Sequence, residues 1–227
     1  MTRFVFMLTH GDATVAGAAE VCRELAPLDI PVVGFKDVGL PPQRLKELVA
    51  ILREQDREIA LEVVNPDPRA ELEAIELGVE LGVDLLLGGT QLQAALEVIG
   101  DAEIRYCPFP GTIVGHPSVL EGTHDEIVAH ALELAANDRV WGLDLLAYRF
   151  AGDADALMRE TVAAVGKPVI VAGSVADTER IAKIVAAGAW GFTVGSAAFD
   201  GLFVPGAPLL DQLHAVIEAT AATPKEV

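Results

Sequence analysis

Aromatic residues are scarce in this chain, at 5% of 227 residues, although apolar residues of all kinds reach 52%. A core must therefore be filled by Ala, Val, Leu and Ile, the usual packing of parallel strands covered by helices. Cations are scarce too. There are 16 Lys and Arg against 34 Asp and Glu, for a formal net charge of −18, and the basic residues are scattered along the chain. That pattern lacks the electrostatic footprint of phosphate-backbone binding, which excludes nucleic acid as a partner. The two cysteines, Cys22 and Cys107, give neither a disulfide framework nor a metal-ligand spacing. No apolar run approaches the roughly 20 residues of a membrane helix. The opening MTRFVFMLTHGD is too short in its apolar part for a signal peptide and has no small-residue cleavage site. The expectation is a cytoplasmic protein with no membrane partner.

What is present is a rhythm. Eight short apolar runs recur: 3-RFVFMLT-9, 30-IPVVGFKD-37, 58-EIALEVVN-65, 83-VDLLLGG-89, 103-EIRYCPF-109, 139-RVWGLDLLAY-148, 168-PVIVAGS-174 and 190-WGFTVGS-196. Each has the size of a buried strand. Between them lie segments such as 43-QRLKELVAILREQ-55, 69-RAELEAIELGVELG-82 and 178-TERIAKIVAAG-188, with apolar residues three and four apart and frequent glycine stops. Strand and helix alternating eight times in about 220 residues predicts one α/β domain, a single (β/α)8 TIM barrel over 1–222, with residues 223–227 as a frayed tail. A doubly wound sheet is the structural alternative.

The barrel is favoured by where polar residues fall. Thr9, His10 and Asp12, then Lys36 and Asp37, Glu62 and Asn65, Thr90, Asp144 and Arg149, Ser174, and Ser196 all sit at strand ends. A barrel gathers those ends on the face that carries its active site. The Gly- and Pro-rich piece 108-PFPGTIVGHPSVLEGTHDE-126 after strand 5 reads as an irregular lid or binding loop.

Several of these positions suggest chemistry. Gly173-Ser174 and Gly195-Ser196 close strands 7 and 8, where glycine lets backbone N–H groups approach a ligand and serine adds a hydroxyl, so the two turns predict an anion pocket without a basic residue. Among the five lysines only Lys36 ends a strand. Within a barrel mouth its pKa is expected to fall, so that it attacks a carbonyl as an imine-forming amine or acts as a base; the alternative is a charged clamp on a substrate anion. Glu62 and Asp144 interrupt apolar runs and are candidate proton-transfer groups, with Lys36 as the nearest partner of Glu62. His10 is a further catalytic candidate and His116 a loop candidate. His124 and His130 receive no role. No local spacing supports a resident metal or cofactor, which leaves room for magnesium only on a substrate phosphate.

The run PVIVAGSV, a helix, then WGFTVGSAAF resembles the phosphate grip of the ribulose-phosphate-binding barrel superfamily. That resemblance implies that Gly173, Ser174, Gly195 and Ser196 hold a substrate phosphate. The cadence of 107-CPFPGTIVGHPSVLEG-122 and 141-WGLDLLAY-148 is similar to keto-deoxy-phosphogluconate aldolases, with Asp144 standing where those enzymes carry their Schiff-base lysine. The stretch 33-VGFKDVGLPPQRLKELVAILRE-54 resembles the strand 2 and helix 2 region of thiamine-phosphate synthase. The expected function is an enzyme acting on a small phosphorylated carbonyl or sugar-like metabolite, of aldolase/lyase or isomerase type. The alternatives are a thiamine-phosphate-synthase-like transferase and a non-catalytic phosphometabolite-binding protein. Outward-pointing Lys36, Glu62 and Asp144 would favour the last. The apolar stretch 202-LFVPGAPLL-210 is a candidate contact in a homo-oligomer.

Overall fold

Each of the eight apolar runs contains a strand in the computed structural model, which describes residues 2–65 and 67–222. The strands are β1 (Arg3–Met7), β2 (Val32–Lys36), β3 (Glu58–Val63), β4 (Leu85–Gly88), β5 (Arg105–Cys107), β6 (Leu143–Leu145), β7 (Val169–Val171) and β8 (Gly191–Val194). They pair in parallel in the order β6-β7-β8-β1-β2-β3-β4-β5. The two ends of that order meet through backbone bonds from Trp141 N to Tyr106 O at 2.9 Å and from Asp144 N to Pro108 O at 3.1 Å. The sheet therefore curls into a nearly closed barrel. The candidate tail 223–227 lies outside the described residues.

Seven helices wrap the strands in the gaps between them: α1 (Ala18–Glu24), α2 (Pro42–Glu54), α3 (Pro68–Leu81), α4 (Leu92–Ile99), α5 (His124–Ala135), α6 (Ala154–Val165) and α7 (Thr178–Ala186). After β8 come a single turn, α8 (Ser196–Phe199), and the closing α9 (Leu209–Ala222). The starts are local chemistry: Asp67, Asp153 and Asp177 accept backbone N–H bonds at the first turns of α3, α6 and α7, and Thr123 with Glu126 forms a capping box on α5.

Side chains alternate along the strands and divide the interior into two bodies. Phe4, Phe6, Val33, Phe35, Ile59 and Leu61 pack outward against the helices, in the larger cluster. Val5, Met7, Val32, Ala60, Leu85, Leu87, Cys107 and Ile170 form a second cluster inside the barrel. Burying a side chain such as Phe6 or Leu61 contributes about 1.5–3 kcal/mol. Strand register extends the inner set in both directions. At the N-terminal end of the strands Glu58 pairs with both Arg3 and Arg105. The two arginines lie over Trp190 and Trp141, which meet edge to face at 5.0 Å and plug that end. At the other end Lys36 is in phase with Val32, and Glu62, its register partner, with Ala60. Asp144 sits opposite the inward Ile170. The polar strand ends therefore converge inside the barrel mouth.

Three expectations change in detail. The run 139–148 contains a strand of only three residues, because the chain turns into a 3-10 segment at Ala147–Arg149. The piece 108–126 is not irregular: Thr112–Val114 and Val119–Glu121 pair as an antiparallel hairpin, and α5 begins at His124. Within 202–210 only Leu202 is a large exposed apolar side chain, at 51%. Phe203, Leu209 and Leu210 pack on the core, and Gln212 ties the loop down through Phe203 N, Val204 N, Val204 O and Ala207 O.

Candidate active site

Lys36 reaches the mouth at the end of β2, where its own backbone is clamped by Thr14: the Lys36 N–H donates to Thr14 Oγ1 and Thr14 Oγ1 donates to Lys36 O, both at 2.8 Å. Its ammonium lies 2.6 Å from Asp12 Oδ1 and 3.2 Å from Glu62 Oε2. All three residues are at most 5% exposed. Asp12 is delivered by a tight hairpin in which Thr9–His10 pairs with Ala13–Thr14. Arg149 completes the group, donating from Nη2 to Asp12 Oδ1 at 2.7 Å.

Two cations and two carboxylates in mutual contact decide the protonation states. Burial works to lower the Lys36 ammonium, but the charges of Glu62 and Asp12 outweigh it and raise its pKa above the ordinary lysine value. The expectation of a lowered lysine pKa is thus reversed in direction, because the mouth supplies two opposite charges along with desolvation. Burial likewise pushes the Asp12 carboxyl up, yet the Arg149 and Lys36 contacts more than reverse it, leaving Asp12 well below the usual carboxylate range. Arg149 is held charged by Asp12 against its own desolvation. Asp144 is different. It is completely buried, neither carboxyl oxygen has a hydrogen-bond partner among the described residues, and burial followed by the Glu62 charge drives its pKa far above normal. Both effects favour the protonated form of Asp144.

A cavity of about 190 Å³ opens beside this group and is lined by Lys36, Asp12, Glu62 and Arg149 on one side and by Gly173, Ser174, Gly195 and Ser196 on the other. Both glycines are forced by space. Gly173 has φ +104, where a side chain is strained, and its added Cβ would stand 3.1 Å from Arg149 Cγ. A Cβ on Gly195 would meet Thr9 Oγ1 at 2.4 Å. Ser196 Oγ accepts the Gly11 N–H at 3.1 Å, which leaves its own hydroxyl hydrogen for another acceptor. Ser174 stands exposed at the rim, its carbonyl accepting from Arg180.

The sequence-derived candidates are thus distributed unevenly. Lys36, Glu62 and the two Gly-Ser turns share one cavity. Asp144 is not part of its lining. His10 does not line the cavity, but its Nε2 lies 2.8 Å from Oδ1 of Asp200, which does, and its ring is half exposed. His116 lies on the hairpin with its Nδ1 3.6 Å from Asp12 Oδ2. Among the described residues no three His, Cys, Asp or Glu side chains converge as a metal-ligand set. Arg149 and Asp12 were visible as strand-end polar residues, but nothing in the sequence tied them to Lys36. Ser118, whose N–H donates to Asp12 Oδ2 at 3.3 Å and whose carbonyl accepts from Arg149 at 2.9 Å, carried no signal at all.

No family model matches this chain, and no curated protein matches it in sequence. Solved structures do resemble it. Orotidine 5′-phosphate decarboxylase from Pyrococcus horikoshii OT3 is 16% identical, covering 96% of this chain and 99% of that one with a TM-score of 0.65. A mutant tryptophan synthase α-subunit from Pyrococcus furiosus is 16% identical, covering 97% of each chain at 0.65. (S)-3-O-geranylgeranylglyceryl phosphate synthase from Thermoplasma acidophilum, in complex with its substrate sn-glycerol-1-phosphate, is 13% identical, covering 96% of this chain and 92% of that one at 0.61. At such identities the likeness is one of fold, and it extends over nearly the whole chain: this protein is a single (β/α)8 barrel with the architecture of these solved structures.

Proposed function

We propose that this protein is an enzyme acting on a small phosphorylated carbonyl or sugar-like metabolite, in a reaction of lyase or isomerase type. The observation that carries the reading is that one cavity joins the Gly173-Ser174 and Gly195-Ser196 turns to Lys36, Asp12, Glu62 and Arg149. The turns would hold phosphate through backbone N–H groups and the Ser196 hydroxyl. The substrate names of two of the similar structures, orotidine 5′-phosphate and sn-glycerol-1-phosphate, support a phosphate there. The inward placement of Lys36, Glu62 and Asp144 speaks against a protein that only binds.

In this scheme the phosphate anchors the ester and turns its carbonyl toward Lys36. The Lys36 ammonium donates to the carbonyl oxygen and stabilises the negative charge that develops there when a proton or a carbon leaves the adjacent carbon. Glu62, 3.2 Å from the ammonium, is the group placed to move the proton. Asp12 and Arg149 hold Lys36 in position. Burial and the Glu62 charge favour the protonated form of Asp144, which would keep a further negative charge out of the mouth. A charged Lys36 favours this electrostatic role over imine formation. No resident cofactor is needed, and magnesium would enter only with the substrate phosphate.

The test is a turnover screen over phosphorylated carbonyl compounds, followed by Lys36→Met on any substrate found. Turnover should fall by at least a thousandfold, while inorganic phosphate still binds by calorimetry within a few-fold of wild type. A Lys36→Met protein that turns over normally would sink the scheme. Trapping of a wild-type adduct by borohydride would replace the clamp with an imine.

A further inference from the structure

The barrel mouth is divided. The hairpin formed by Thr112–Val114 and Val119–Glu121 folds over it, and Ser118, 1% exposed, is stitched to the floor by two bonds: its N–H to Asp12 and its carbonyl to Arg149. Because Arg149 also binds Asp12, the three residues form a closed seam. On one side lies the cavity of about 190 Å³ with the Gly-Ser turns. On the other, between Glu71, Thr90 and Phe109, there is space of only about 40 Å³.

The direction of a bound ester follows from exposure. Ser174 is exposed and Ser196 half-buried, whereas Lys36, Asp12 and Glu62 are buried. A phosphate on the turns sits near the rim, and the carbons that must meet Lys36 point into the closed end. Length is therefore limited by the seam and not by the opening. At about 190 Å³ the larger cavity falls below the roughly 300–1,000 Å³ of ordinary small-molecule pockets, which favours a compact ester. The space beyond the seam, about 40 Å³, adds too little for a nucleobase or a second ring.

Resting on the phosphate reading above, we propose that the substrate is a short, open-chain phosphate ester of about three or four carbons, and that the Asp12–Ser118–Arg149 seam sets that limit. The experiment is a ladder of probes on the wild-type protein by isothermal titration: inorganic phosphate, glycerol 3-phosphate, ribose 5-phosphate and uridine 5′-monophosphate. Glycerol 3-phosphate should bind at least tenfold tighter than inorganic phosphate, and the two larger esters no tighter than inorganic phosphate. Ribose 5-phosphate or uridine monophosphate binding more tightly than glycerol 3-phosphate would overturn the size limit while leaving the phosphate site intact. Failure of all four probes would instead overturn the phosphate reading itself. A variant with residues 113–120 replaced by a three-glycine turn should gain at least tenfold in uridine monophosphate affinity. If it does not fold, the wild-type ladder still decides.

Discussion

After β4 the chain turns through Gly88, Gly89 and Thr90 into α4; after β8 it turns through Gly195 and Ser196 into α8. Both turns place glycine and a hydroxyl at the same end of the barrel. In the first, the protein supplies its own anion. Glu71, 3% exposed, reaches across from α3 and accepts from Thr90 N, Gln91 N and Thr90 Oγ1 at 2.8–2.9 Å. In the second, and in the companion turn at Gly173-Ser174, no carboxylate among the described residues accepts a hydrogen bond from the turn, and both line the cavity. The local sequence signal is nearly the same. What separates a structural turn from a binding turn is whether a distant side chain already fills it.

The strongest way to break that contrast is to empty the filled turn. Glu71→Ala removes a buried carboxylate that accepts three hydrogen bonds from exposed Thr90 and half-buried Gln91, so unfolding in denaturant should show a loss of about 2–4 kcal/mol. Acetate should restore part of that loss in the variant and do nothing comparable for the wild type, since the vacated turn would then resemble its neighbours. A loss below about 1 kcal/mol would mean that the Glu71 bonds are incidental.

A second buried carboxylate sharpens the point. Glu71 has three donors, whereas Asp144 has none among the described residues and its pKa is driven upward by burial and the Glu62 charge. Because the folded pKa of Asp144 lies above its unfolded value, the unfolded chain releases this proton first as pH rises past the ordinary carboxylate range. Stability from this group is thus complete at low pH and drains away until the raised folded pKa is reached. Asp144→Asn should remove the drain: as pH rises above the ordinary carboxylate range, the variant should gain on the wild type by up to about 1.4 kcal/mol per pH unit. Parallel stability curves for the two proteins would show that Asp144 has found a partner.

Spacing tests the open turns directly. An added methyl at Gly195 collides with Thr9, so Gly195→Ala should cost about 1–3 kcal/mol of stability. It should also weaken inorganic phosphate binding by more than tenfold, because Thr9 and the turn must move apart. Unchanged binding would place the phosphate elsewhere.

The same contrast explains what could be read in advance. The eight strands and their helices were legible because parallel strands buried on both sides are continuous apolar runs, and polar residues stood at the ends facing the mouth. The Lys36–Glu62 pair was legible because neighbouring strands in a barrel put those two residues side by side. The hairpin was missed, since Gly115, Pro117 and the surrounding short β-branched runs read equally well as loop. The lysine pKa was misjudged for a related reason. Burial is visible in a sequence, but a second carboxylate arriving from a hairpin after β1 is not. Nothing in the sequence sets Glu71 apart from the other acids of its helix; only the packing of α3 beside α4 makes it an internal ligand.

Thr90 and Ser196 bring the contrast down to one hydroxyl each. Thr90 Oγ1 donates to Glu71, so Thr90→Ala should lower stability by about 1 kcal/mol and leave phosphate affinity unchanged. Among the described residues Ser196 Oγ accepts only the Gly11 N–H, from an exposed turn, so Ser196→Ala should barely alter stability. Its effect should appear in ligand binding, where loss of one hydroxyl donor weakens phosphate by about three- to tenfold, equivalent to about 0.5–1.5 kcal/mol. Calorimetry and denaturant titration on the two variants should therefore give crossed results. If Ser196→Ala lost stability and kept its phosphate affinity, the β8 turn would be another internally satisfied turn, and the Gly-Ser pair would no longer mark a site.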